Sequence, residues 1–114
     1  MPTPARILLA AVCHGLAGLL PLTLSDGSHL IAGKQVTGFS NTEEAAVGLA
    51  TVVPFLLQDR LQELGGAYRS GSDFAPHVVT DGRMVTGQNP ASAADVAHAI
   101  LQLLTAAVSP ATTA

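Results

Sequence analysis

The residues best suited to chemistry sit together near the start of the chain, in Ala11-Val12-Cys13-His14-Gly15. A nucleophile with small residues two positions away on either side has the spacing of a nucleophile elbow. The cause is steric: the nucleophile occupies a strained turn between a strand and a helix, and bulk two positions away would collide with it. The free N–H groups at the helix start then face the sulfur, which lowers the thiol pKa and offers donors to an oxyanion. The backbone N–H of His14 is one such donor. On this reading Cys13 is an activated thiol; on the plainer one it is a small buried hydrophobe. His14 reads either as a polar residue at a helix start or as an imidazole that stabilises a thiolate and moves protons. Glu44 reads either as the acid of a capping box begun by Asn41 or as the carboxylate that orients His14 in a Cys-His-acid arrangement. Spacing alone leaves both readings of each residue open.

Other chemistries find less support. The five basic residues, Arg6, Lys34, Arg60, Arg69 and Arg83, are scattered, and the net charge is −3. A nucleic-acid footprint needs clustered Lys and Arg, and 4% aromatic content is too thin for a base-stacking platform. A single cysteine excludes an intramolecular disulfide and a multi-cysteine metal motif. His14, His29, His77 and His98 lack the spacing of metal ligands, so no metal site is expected.

The elements that must hold the elbow can be read in outline. Arg6 to Val12 is a continuous apolar run, suited to a parallel strand covered on both faces. A short apolar helical stretch follows from Leu16 to Leu22, then a turn at Ser25-Asp26-Gly27. The same run, Ile7 to Leu24, has the apolarity of a targeting or membrane segment over residues 1–24. His14, Gly15, Gly18 and Pro21 inside it speak against a membrane span, and Val12 before the cysteine speaks against a lipoprotein signal.

His29 to Ala32 and Gln35 to Gly38 are predicted as short strands, and Asn41 to Leu64 as a helix with its apolar stripe on Val47, Ala50, Pro54, Leu57, Leu61 and Leu64. Pro54 is expected to kink or restart it, and Gly65-Gly66 to end it. Ala67 to Ser70 reads as a short strand. His77 to Thr80 and Arg83 to Thr86 flank Asp81-Gly82, a hairpin turn signal. A final helix is predicted from Pro90 or Ser92, with Ser92 and Asp95 at capping-box spacing and Val96, Ala99, Ile100, Leu103 and Leu104 on its apolar face. Residues 109–114 read as a disordered tail. Strands alternating with helices give an α/β class. Charged residues make up only 11% of the chain against a usual figure of about a quarter, so it is poor in surface-forming side chains. An apolar strand with an unpaired edge predicts self-association, whether as a homodimer or as aggregates.

Several of these motifs together resemble the DJ-1/PfpI superfamily, also called class I glutamine amidotransferase-like, in its heat-shock-protein-31-like, glyoxalase III-like branch. Val12-Cys13-His14-Gly15 looks like that family's elbow. Leu24-Ser25-Asp26-Gly27, Ala32-Gly33-Lys34 and Val36-Thr37-Gly38-Phe39-Ser40-Asn41-Thr42-Glu43-Glu44 continue the likeness, as do Val53-Pro54-Phe55-Leu56-Leu57, Gly65-Gly66, Val79-Thr80-Asp81-Gly82-Arg83 and Thr86-Gly87-Gln88-Asn89-Pro90-Ala91-Ser92. The resemblance runs from about Arg6 to about Leu104 and favours the strand-and-helix reading of the first 24 residues.

It implies a flavodoxin-like sandwich with a mostly parallel sheet, of which residues 1–108 are the C-terminal part, truncated on the N-terminal side. It also implies a cytoplasmic enzyme that converts methylglyoxal to D-lactate without a cofactor, a lyase of the D-lactate dehydratase type. Other members are described as stress-response chaperones or protein deglycases. Carried over, Cys13 is the nucleophile, His14 its partner and Glu44 the acid. The family's proton-sharing glutamate and the Gly-Gly-His-Gly-type loop that supplies a second oxyanion donor belong to the half that precedes the matched region. The resemblance implies no metal and no membrane or nucleic-acid partner. Two alternatives stand beside the enzyme: a non-catalytic chaperone-like or redox-sensing protein or inactive gene fragment, and a small secreted or membrane-inserted protein.

Overall fold

A computed structural model describes residues 8–108. The predicted tail at 109–114 and the first residues of the proposed targeting segment lie outside that range. Strand β1 (Leu9–Val12) runs into a 3-10 helix over Cys13–Leu19. Strand β2 (Gln35–Val36), helices α1 (Asn41–Ala46) and α2 (Leu57–Glu63), and strands β3 (Ala67–Tyr68), β4 (Val78–Asp81) and β5 (Met84–Gly87) follow. A 3-10 turn at Pro90–Ser92 leads into helix α3 (Ala93–Val108).

The main sheet has the order β1-β5-β4, with β1 parallel and β4 antiparallel to β5. A second, two-stranded sheet pairs β2 and β3 in parallel. The fully buried strand is therefore β5, whose residues Met84 to Gly87 are all buried. β1, expected to be covered on both faces, lies at the edge of its sheet with Ala10 exposed. Its apolarity serves one packed face and one neighbour, Val12 standing opposite Gly87. Gly87 is small for a reason: a Cβ there would come within 2.7 Å of Val96 on α3.

The hairpin falls where Asp81-Gly82 predicted it, displaced by one residue. Asp81 is the last strand residue and pairs with Met84, so Gly82 and Arg83 make the turn. Gly82 has φ +60°, as the first position of a two-residue II′ turn requires. Gly65-Gly66 also ends α2 as expected. Gly65 has φ +94°, its N–H bonds the Gln62 carbonyl and the Gly66 N–H bonds Leu61, the paired bonds of a Schellman cap.

Three expectations are corrected. His29 to Ala32 is a succession of turns, joined to Thr23 by a single bridge, because Ile31 turns inward to complete burial in the core. The long helix is two short ones. α1 stops before Gly48, which adopts φ +77°, and the chain restarts as α2 at Leu57 beyond Pro54. Val47, placed on the apolar stripe, is exposed, while Leu57 and Leu61 are buried. Finally, the capping box belongs to Ser40 and Glu43 instead of Asn41 and Glu44. The core gathers Leu16, Leu19, Leu20, Ile31, Val36, Phe39, Leu57, Leu61 and Met84 directly beneath the segment that follows Cys13. No helix among the described residues is long and apolar enough to cross a membrane.

Candidate active site

Cys13 stands at the junction of β1 and the 3-10 helix with φ 60°, a left-handed conformation that a residue with a Cβ adopts at a cost. β1 fixes the chain up to Val12, and Leu16 and Leu19, buried in the core, fix the turn beyond. The strained corner between them is an elbow, but the expected steric need for a small residue at position 15 does not hold: a Cβ on Gly15 would meet nothing within 4 Å.

His14 lies beside the thiol, with Nδ1 3.6 Å from Cys13 Sγ. Its Nε2 reaches Glu44 Oε2 at 2.7 Å. A carboxylate accepts, so Nε2 carries the proton, and in the neutral ring Nδ1 is left as the acceptor facing the sulfur. Phe39, buried in the core, supports the imidazole with ring centroids 4.5 Å apart. His14 is half exposed and Glu44 is 2% exposed, so the carboxylate is fixed and the imidazole bridges it to the surface. Glu44 Oε1 is buried too and has no hydrogen-bond partner among the described residues, which leaves that acceptor uncommitted.

The structure thus brings Cys13, His14 and Glu44 together. What releases Glu44 for His14 is the one-residue shift of the helix cap. Ser40 takes an extended conformation, its Oγ accepts the Glu43 N–H at 3.1 Å, and its own N–H donates to Glu43 Oε1 at 3.0 Å. Glu43 does the capping, and the next residue on α1 points elsewhere.

The electrostatics depart from expectation at one point. The thiol was expected to be acidified by the helix start. Instead burial pushes the Cys13 thiol up, the His14 backbone N–H pulls it down, and the negative charges of Glu43 and Glu44 push it up again, for a net rise. Burial is the largest of these influences and outweighs the single N–H, and the two carboxylates add to it. Burial likewise opposes ionisation of Glu43. Hydrogen bonds from the backbone N–H groups of Phe74 and Ser40 and from the side chains of Gln88 and Asn89 outweigh it and hold that carboxyl below the usual carboxylate range.

Sequence reasoning missed Glu43, Asn89 and Phe74. Glu43 was legible, since Ser40-Asn41-Thr42-Glu43 has the capping-box spacing as clearly as the set one residue later. Asn89 and Phe74 carry no local signal. They matter through tertiary contacts with Glu43, at 2.8 and 2.7 Å.

No protein-family model matches the chain. Among curated proteins it is similar to the probable glutathione-independent glyoxalase hsp3103 of Schizosaccharomyces pombe, 38% identical over 104 residues that make up 84% of this chain and 40% of that protein. Among solved structures it superimposes on the Rapid Encystment Protein 24 kDa of Francisella tularensis with a TM-score of 0.82 at 47% identity, covering 83% of this chain and 42% of that one. It superimposes on glyoxalase III from Candida albicans with a TM-score of 0.78 at 32% identity, covering 83% and 42%. A two-domain protein from Anabaena variabilis with a DJ-1/ThiJ/PfpI-like domain matches with a TM-score of 0.56 at 30% identity, covering 86% and 21%. The chain spans about two fifths of the length of the curated relative and of the first two structures.

Proposed function

The chain belongs to the DJ-1/PfpI superfamily, among its glyoxalase III-like members, and from that premise we propose that Cys13, His14 and Glu44 form the reacting centre of a cofactor-independent enzyme acting on small 2-oxoaldehydes, with methylglyoxal converted to D-lactate. The observation that carries the reading is the continuous contact from Cys13 Sγ through the His14 ring to Glu44 Oε2. Glu44 holds the proton on Nε2. Nδ1 then accepts the thiol proton as the sulfur adds to the aldehyde carbon, giving a hemithioacetal. The hydrogen on that carbon moves to the neighbouring carbonyl carbon as a proton, and the former aldehyde carbon becomes a thioester. Water cleaves the C–S bond to give the hydroxy acid and restore the thiol, so the sum is one oxoaldehyde and one water to one hydroxy acid. The proton relay between the two carbons belongs to the further carboxylate that the family resemblance places in the preceding half.

This is lyase chemistry of the D-lactate dehydratase type. The lone cysteine suits a reducing, cytoplasmic compartment, and the edge strand β1 suits a homodimer or looser self-association. The test is methylglyoxal consumption followed by chiral detection of lactate, with Cys13→Ser alongside. Loss of turnover in that variant is expected, and full retention would remove Cys13 from the mechanism.

A second, non-catalytic reading has two observations in its favour: the raised thiol, and the exposure of Val47, Leu49 and Val52, the last at 70%. A chaperone-like protein would suppress aggregation of an unfolded client through such a surface whether or not Cys13 is present. Cys13→Ser in that assay separates the two.

A further inference from the structure

Glu43 makes more hydrogen bonds than a helix cap requires. The cap uses Oε1, which accepts both the N–H and the Oγ–H of Ser40 at 3.0 Å. Oε2 is engaged separately. It accepts the Phe74 N–H at 2.7 Å and Asn89 Nδ2 at 2.8 Å. Asn89 Nδ2 also donates to the Ala75 carbonyl at 2.8 Å, and Asn89 Oδ1 accepts from Ser92 Oγ at 2.9 Å. Ser92 Oγ in turn accepts from the His77 N–H. Glu43, Asn89 and Ser92 are all fully buried. A buried carboxylate is tolerated only when its acceptors are filled, and here the donors come from three separate places: the first turn of α1, the loop around Phe74, and the turn that enters α3.

What these bonds fix lies on both sides of His14. Glu44 follows Glu43 on α1, so the rotation of that first turn sets where the Glu44 carboxylate stands. Phe74, held at φ 58°, packs its ring edge-on against Phe39 at 5.9 Å, and Phe39 packs against His14. Its neighbour Asp73 is tied back to α1 by Thr42 Oγ1 at 2.6 Å.

We propose that Glu43 and Asn89 are positioning residues: their buried hydrogen bond locks the first turn of α1 so that Glu44 meets His14 Nε2, and anchors the loop whose Phe74 backs the Phe39 ring under the imidazole. Neither touches the reacting sulfur. The proposal rests on the Cys13–His14–Glu44 reading, and the two fail separately.

The test uses the full chain and needs no turnover, because Cys13 is its single thiol. The second-order rate of Cys13 alkylation by iodoacetamide at neutral pH is measured for wild type, Asn89→Ala, Glu44→Gln and the double variant. Asn89→Ala is expected to slow alkylation by about threefold or more in the wild-type background and to change it by less than about 1.5-fold in the Glu44→Gln background, since residues acting through one another are not additive. A merely structural role would lower stability equally in both backgrounds without that convergence. An equal loss in both backgrounds, or no loss in wild type, overturns the proposal. Should Asn89→Ala give no folded protein, Ser92→Ala enters the same cycle: it removes the hydroxyl that orients Asn89 Oδ1 and that also bonds the His77 backbone, leaves Asn89 Nδ2 in place, and its outcomes are read by the same criteria. The Cys13–His14–Glu44 reading is judged apart from this, by whether Cys13→Ser loses methylglyoxal turnover.

Discussion

The left-handed backbone at Cys13 makes a prediction that runs against the usual order of substitutions. Cys13→Ala and Cys13→Gly both remove the sulfur, so their difference isolates the Cβ. At φ 60° a Cβ crowds the following carbonyl, at a cost of about 1–2 kcal/mol. Glycine escapes that cost but gives up about 0.5–1 kcal/mol in backbone entropy. Losing the half-buried methyl takes back a few tenths of a kcal/mol more. The balance leaves the glycine variant ahead by about 0.5 kcal/mol, where an ordinary backbone would put alanine ahead by about 0.5–1 kcal/mol. Urea unfolding is the assay. With an m-value of about 2 kcal/mol/M, the Cys13→Gly midpoint should lie about 0.2 M above that of Cys13→Ala at unchanged slope. If alanine is the more stable of the two, the backbone at Cys13 is not strained and the reasoning fails.

Four further outcomes follow from the geometry. Iodoacetamide reactivity of Cys13 should titrate above the usual thiol range, because burial and the two carboxylates disfavour the thiolate; a midpoint below that range would contradict the geometry. The same shift sets a sign for stability. The folded state holds the thiol proton to higher pH than the unfolded chain, so this contribution is full below the unfolded pKa and declines as pH rises through the folded one, a decline absent in Cys13→Ala. Ser40→Ala should cost about 1 kcal/mol in chemical unfolding, by removing the Oγ that caps Glu43 N–H. Gly87→Ala should cost about 1–3 kcal/mol, since its Cβ meets Val96 at 2.7 Å and Ser92 at 3.0 Å; an unchanged melting temperature would mean that α3 sits further from β5 than described.

Features governed by nearest neighbours in the chain were readable in advance. The elbow, the Gly82 turn, the Schellman pair Gly65-Gly66 and the last helix each obey a rule spanning a few residues. Features set by what comes to lie alongside were not. The apolar run ending in Val12 looked like the buried strand, but burial of that kind went to β5, whose sequence Met84-Val85-Thr86-Gly87 is less apolar. Ile31 sits in a segment that reads as a strand, yet only a turn delivers its side chain to the core. The helix start, which the sequence shows, is only one influence on the thiol. Glu43 and Glu44 stand thirty residues further along the chain, and their charges reach the sulfur only after folding. The cap is ambiguous by one position in the sequence because Ser40 and Asn41 are both good caps, each with a glutamate three residues on.

That one position has a mechanical consequence. Successive residues on an α-helix point about 100° apart, so Glu43 and Glu44 address two different quarters of the molecule from a single turn: one inward to the loop around Phe74, the other across to His14. Their division of labour is a matter of phase. The exposed Ala45 can be exchanged for another helix former without turning α1. A residue inserted or deleted between Ser40 and Glu43 would advance or retard both carboxylates together, unseating the anchor and uncoupling the imidazole in one step.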